Sequence, residues 1–232
     1  MRTKFLPFEV LHEDRDVIVI DKPAGLLATH THLAGRAARE TQQTAENFLN
    51  AYVRKGQAKS SRRVWLVHRL DRETSGVMMF AKDERVASAF RERWGELTEK
   101  TYIARVQGEI AEAGGVFESY LQEDATGYRM KSVPKPVRGG RSGGGAKAPK
   151  FARTEWRRIS CGNGTTLVEV KLKTGRKNQI RVHFSEAGHP VVGDVKYGGR
   201  KARRMFLHSL RLGYTHPLTG EAFEFESRGT MK

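Results

Sequence analysis

Apolar residues along the chain fall into short runs with two distinct periods. Val17-Ile18-Val19-Ile20 is continuous enough for a buried strand, and Lys22-Pro23-Ala24-Gly25 supplies the turn after it. Ala45, Phe48, Leu49 and Tyr52 then recur at helical spacing behind Thr44, which predicts a capped helix through about Arg54 with Gly56 as its stop. Val64 to Val67 and Val77 to Ala81 read as two buried strands around a polar loop. Asp83 caps a second predicted helix whose face is Val86, Ala87, Phe90 and Trp94. From Thr101 the period shortens to two, predicting strands over 102–106, 116–121, 154–159 and 165–172. Residues 132–150 break that series with three Pro, a glycine run and several cations, and are expected to form a flexible basic insertion. A helix over 178–187 ending at Gly188, and strands over 206–214 and 222–226, complete an α+β pattern without internal repeats.

The polar loop between the paired strands carries the chemistry. In His68-Arg69-Leu70-Asp71-Arg72-Glu73-Thr74-Ser75-Gly76 one carboxylate lies among three cationic side chains where a strand gives way to a turn. Nearby cations favour an ionised Asp, and an ionised, partly desolvated Asp serves as nucleophile or base. Taken alone, Arg-Leu-Asp-Arg describes a solvated surface pair; two apolar strands flanking it argue for a loop seated on the core.

Composition narrows the partner. Lys and Arg total 42 against 26 Asp and Glu, a formal charge of +16 with a pI near 10.2. That excess suits a polyanion, and RNA or DNA is favoured over a membrane because no long basic amphipathic helix is present in the pattern. A chain of 232 residues can bury its own core, and a single domain over 1–232 is expected. Cys161 is the only cysteine, which rules out an internal disulfide and a multi-cysteine metal site and fits a reducing, cytoplasmic compartment. No signal peptide is apparent, and no run approaches the roughly 20 apolar residues of a membrane span. His30, His32, His183, His189, His208 and His216 sit at strand ends and turns without metal-ligand spacing, so neither metal nor cofactor is expected. The glycine run at 139–147 lacks the Gly-Lys-Ser/Thr of a phosphate-binding loop.

The nonapeptide, followed by an apolar strand and Ala81-Lys82, closely resembles the catalytic motif of RluA-type RNA pseudouridine synthases. Further segments are similar to that family in its order: Ile20 to Leu26, Lys100 to Val106, Thr174 to His183, Gly188-His189-Pro190, Gly193-Asp194, Leu207-His208-Ser209 and His216 to Gly220. The resemblance implies a pseudouridine synthase-like mixed, mainly antiparallel bent sheet flanked by helices, with a central catalytic cleft. It implies isomerisation of specific uridines in ribosomal or transfer RNA, with base flipping and without cofactor or metal. By the same resemblance Asp71 is the essential carboxylate, Tyr102 stacks on uracil, and Arg181 pairs with the catalytic carboxylate. Ile180 touches the base, Arg69 fills the space left by the flipped nucleotide or clamps phosphate, and His68, Arg176 and Lys82 are supporting substrate contacts. Asn178 stands where the family has a histidine. Because the motifs begin near Phe8, the separate N-terminal RNA-binding domain of many relatives is expected to be absent, leaving a monomer that recognises a compact RNA stem-loop. Two rivals stand beside this reading. One is a non-catalytic basic RNA-binding or ribosome-associated protein; the other is a metal-dependent nucleic-acid hydrolase, which would need further clustered carboxylates.

Overall fold

The computed structural model describes residues 6–30, 42–55, 57, 59–136, 148–227 and 229. Gly56, His32 and the glycine run at 139–147 lie outside the described residues. The chain gathers into two compact units, one made of 1–99 with 208–232 and the other of 100–207.

The first unit is organised by β4 (Ser75–Ala81), whose seven residues are all buried. A strand covered on both faces needs an uninterrupted apolar run, and Val77 to Ala81 provides it. Its antiparallel neighbour β2 (Val17–Lys22) is paired over its whole length, and β1 (Glu9–Glu13) extends the sheet beyond β2. On its other side β4 meets two partners in succession. Its first residues run parallel to β10 (Leu207–Thr215), with His208 opposite Ser75, and its last pair with β3 (Trp65–Leu66), Trp65 opposite Ala81. β11 (Ala222–Glu226) closes on β10. Helix α1 (Ala45–Val53) starts at Thr44, whose Oγ1 accepts from Asn47 N. Helix α2 (Glu84–Leu97) starts at Asp83, whose carboxylate accepts from Arg85 N and Val86 N. As its periodicity predicts, α2 lays Val86, Ala87 and Phe90 against Val17, Val19, Val77, Met79 and Leu212, with Trp94 packed at the margin.

In the second unit β5 (Thr98–Gln107), β9 (Thr165–Leu172), β8 (Lys150–Gly162), β6 (Gly114–Glu123) and β7 (Met130–Val133) pair antiparallel in that order. Helix α3 (Gln179–Glu186) packs Val182 against Leu121, Ala152 and Tyr197. Both ends of the expected insertion are ordered strand: Ser132 and Val133 pair with Leu121 and Tyr120, and Lys150 opens β8. Cross-strand pairing and the Glu186 carboxylate, which accepts from Ser132 N, outweigh the turn-forming composition there. β1, β7 and a 3₁₀ turn at Val195–Tyr197 have no counterpart among the predicted elements. No helix among the described residues is long and apolar enough to cross a membrane.

Gly76 shows how tightly β4 and β10 meet. Its φ is +111°, and a Cβ there would lie 2.1 Å from the Ser209 carbonyl oxygen. Gly76→Ala should therefore cost at least about 3 kcal/mol, combining strain with a backbone overlap. Gly25→Ala, at φ +88° but in open space, should cost only about 1 kcal/mol. Urea denaturation of the two variants checks the difference.

Candidate active site

The Asp71 loop is fixed from below. Lys22 ends β2 with its side chain fully buried, and its Nζ donates to the carbonyls of Pro23 (2.9 Å), Leu26 (2.8 Å) and Arg72 (3.2 Å). Gly25 N donates to the same Arg72 carbonyl at 2.8 Å, so the 23–26 turn and the Asp71 loop are tied at one oxygen. Within the loop Thr74 N donates to Asp71 O, and Leu70 is buried. Burial pushes the Lys22 ammonium down to about 8, and the negative charges of Asp71, Glu73 and Asp21 oppose that shift. In the sequence Lys22 opens a turn and lies in the family-like segment Ile20 to Leu26; the signal for its burial was a lysine soon after the apolar run Val17 to Ile20.

The remaining candidates of this unit divide by role. His68 turns inward: its Nε2 accepts from Met79 N at 3.0 Å and its ring stacks on Trp94 at 4.5 Å. Lys82 reaches the β1–β2 turn, donating to Glu13 and to the Asp14 carbonyl at 2.6 Å each. Arg69 is exposed beside half-buried Asp71. Ser75 Oγ and His208 Nδ1 are 2.9 Å apart, and Ser209 Oγ donates to Val77 O, which fastens the start of β4 to β10.

In the second unit Arg181 is held almost wholly out of water. Its Nε and Nη2 donate to the two oxygens of Asp194 at 2.6 and 2.8 Å, Nη1 donates to Asn178 Oδ1 at 2.9 Å, and the guanidinium lies over the Tyr197 ring at 5.0 Å. Asn178 precedes α3 in the left-handed region at φ 54°, where Asn is among the tolerated residues. Its amide does not cap the helix; it bridges Arg181 and the Tyr197 hydroxyl, to which Nδ2 donates at 3.0 Å. The Asp194 carboxylate makes no cap to the turn it opens and binds Arg181 instead. Gly193 makes this possible: at φ +85° a Cβ would overlap the Arg204 carbonyl.

Gln179 satisfies all four of its amide contacts. Oε1 accepts from Thr174 Oγ1 and Arg176 N, and Nε2 donates to Arg153 O and Thr154 Oγ1. The first turn of α3 is thereby locked to β8, presenting Ile180 buried and Arg181 beside it. Arg176 spends its Nε on the Phe151 carbonyl. Tyr102 is buried in β5 opposite Val170. His183 lies between Ser119 Oγ and Thr154 Oγ1, and His189 against the Gln107 carbonyl. No group of three His, Cys, Asp or Glu suited to a metal ion occurs among the described residues.

Residues 16–186 match the RNA pseudouridylate synthase family. The chain is 30% identical over 242 residues to tRNA pseudouridine synthase C of Vibrio parahaemolyticus, covering 92% of this chain and 87% of that protein. It is 29% identical over 234 residues to ribosomal large subunit pseudouridine synthase D of Zymomonas mobilis, covering 96% of this chain and 69% of the relative. Among solved structures, human RNA pseudouridylate synthase domain containing 1 superposes with a TM-score of 0.69 at 26% identity, covering 96% of this chain and 83% of that one.

The Arg181–Asp194 pair has side chains only 8% and 1% exposed. Breaking a buried pair by removing one charge costs about 3–5 kcal/mol. Asp194→Asn is expected to destabilise by about 3 kcal/mol, and a double-mutant cycle with Arg181→Met should show a coupling above about 1.5 kcal/mol in urea unfolding.

Proposed function

The chain belongs to the RNA pseudouridylate synthase family, whose members isomerise uridine to pseudouridine in RNA, and from that premise we propose that Asp71 is the carboxylate on which the isomerisation depends. The observation that carries this is the seat of Asp71: a loop anchored by a buried ammonium, entering a fully buried strand. A rigid support of this kind holds a reacting group in one geometry, the condition under which proximity lowers a barrier.

The reaction breaks the bond from uracil N1 to the ribose C1′, turns the base, forms a bond from C5 to C1′, and moves the C5 proton away while N1 regains one. Atoms balance without an oxidant or a metal. Asp71 acts on the ribose or promotes departure of the base, with Tyr102 and Arg181 as the aromatic and cationic groups the reaction also needs. Ile180 supplies apolar contact to uracil, and exposed Arg69 meets RNA. His68, Lys82 and Arg176 are supporting residues of the site, and each also bonds to the backbone: His68 to Met79 N, Lys82 to the Asp14 carbonyl, Arg176 to the Phe151 carbonyl. Extruding the target base costs a few kcal/mol, and phosphate contacts from a chain of +16 offset it. We assign the substrate to the stem-loops of ribosomal or transfer RNA, recognised by a cytoplasmic monomer.

Purified protein incubated with unmodified ribosomal and transfer RNA transcripts, with no cofactor added, should produce pseudouridine that mass spectrometry locates. Asp71→Asn should abolish product while leaving RNA affinity within about twofold; turnover close to wild type would remove Asp71 from the mechanism. Lys22 generates a pH signature. Its folded value of about 8 lies below the ordinary lysine value, so between those values unfolding takes up a proton and rising pH stabilises the fold. The same deprotonation removes one donor and the positive charge from beneath the Asp71 loop. Activity should fall through about pH 8 while the unfolding midpoint does not, and parallel pH series of single-turnover rates and urea titrations read both.

A further inference from the structure

Residues 54–63, Arg-Lys-Gly-Gln-Ala-Lys-Ser-Ser-Arg-Arg, carry five cations and no acid. Several cations elsewhere are engaged by carboxylates: Lys82 by Glu13, Arg157 by Glu169, Lys177 by Glu123, Arg181 by Asp194. Arg54, Lys55, Lys59, Arg62 and Arg63 are all exposed, and none forms an ion pair with a carboxylate among the described residues. The described residues of this segment, 54, 55, 57 and 59–63, nonetheless hold one another. Lys55 N donates to Tyr52 O, Gln57 N to Arg54 O, Ser60 N to Gln57 O, and the Arg54 guanidinium closes the loop on the Arg62 carbonyl at 3.2 Å. Arg63 lies over the Trp65 ring at 5.4 Å. Lys55 adopts φ +49°, the left-handed position after a helix that glycine fills without strain. A lysine is kept there at a conformational cost.

We propose that this loop is a docking site for the sugar-phosphate backbone of an RNA stem that flanks the target uridine. The inference rests on the RNA-modifying reading above and adds a second contact to it. Trp65 pairs with Ala81, at the opposite end of β4 from the Asp71 loop. The basic loop is therefore about 20 Å from Asp71 along the same hairpin, less than one turn of a nucleic-acid duplex. Unpaired cations fixed at that distance suit phosphates that position the substrate without reading its sequence. Cations carried on a hydrogen-bonded backbone also cost less to order on binding than those of a disordered tail.

Two sets of variants test this. Lys59→Gln/Arg62→Gln/Arg63→Gln should lower the slope of log affinity against log salt by about 2–3 for a hairpin RNA with a stem of about 16 base pairs. On the same loop carried by a minimal stem, slope and single-turnover rate should stay as in wild type. Lys55→Gly should raise Tm by about 2–4 °C while weakening binding to the long-stemmed hairpin, two effects of opposite sign that a purely structural lysine would not show. An unchanged slope on the long stem, an equal loss on both RNAs, or loss of binding to phosphatidylserine vesicles with RNA affinity intact would overturn the proposal. If wild-type protein isomerises no transcript yet the long-stem slope still falls in the triple variant, the docking site stands and the catalytic reading fails.

Discussion

The buried Lys22 ammonium is the contact on which the Asp71 loop depends. Taking an ammonium out of water costs several kcal/mol, and three hydrogen bonds from a charged donor return about 1.5–3 kcal/mol each. Those terms are of similar size, so the arrangement contributes little net stability. What it contributes is definition: the Pro23, Leu26 and Arg72 carbonyls must converge on one nitrogen. An apolar residue at 22 would remove the donor that the Pro23 and Leu26 carbonyls share, and the two turns would be tied only by the bond from Gly25 N to the Arg72 carbonyl. The negative charge of Asp71 also favours the protonated form, so the anchor and the carboxylate it supports are electrostatically linked.

The second unit reaches the same end by other means. Arg181 is oriented by a bidentate carboxylate and an aromatic face, both from the 194–197 turn, and by an amide oxygen from the residue that precedes α3. Gln179 beside it makes no charge contact; it joins helix, loop and strand through neutral hydrogen bonds. A guanidinium bound on several sides is pre-organised in the sense that matters for catalysis, because its dipoles need not reorganise when charge develops nearby. Asn178, which stands where the family has a histidine, takes part fully: it occupies the left-handed position and bridges Arg181 to Tyr197.

Local periodicity and capping were legible where a single element decided them. Thr44 and Asp83 cap the helices their spacing predicts, and the apolar run after Gly76 is the central strand. β1 and β7 escaped because they are short, part-exposed strands at the ends of the strand order with little apolar pattern of their own, ordered by pairing with β2 and β6 and, at Ser132, by the Glu186 carboxylate. The site divides in the same way. All of Asp71, Arg181, Lys22 and Asp194 stand in segments that resemble the family, but the roles of Lys22 and Asp194 become visible only from where their side chains end. Asp194 resembles a turn residue in sequence, and its turn is real. Its carboxylate is claimed by a stronger partner thirteen residues away, a competition that spacing does not reveal.

Charge follows a related logic. A net +16 suggests a uniformly basic surface, yet many of the cations are neutralised locally, and several of those hold backbone carbonyls besides. Lys82 and Lys177 are examples, since each donates to a main-chain oxygen as well as to a carboxylate. Electrostatic attraction for a polyanion is then concentrated where carboxylates are missing. Screening sharpens the contrast, because at physiological salt a charge acts over only about 8 Å. A ligand feels the nearest unpaired cations and little of the total. The distribution of Asp and Glu along the chain, more than the number of Lys and Arg, thus determines which surface an RNA would meet first.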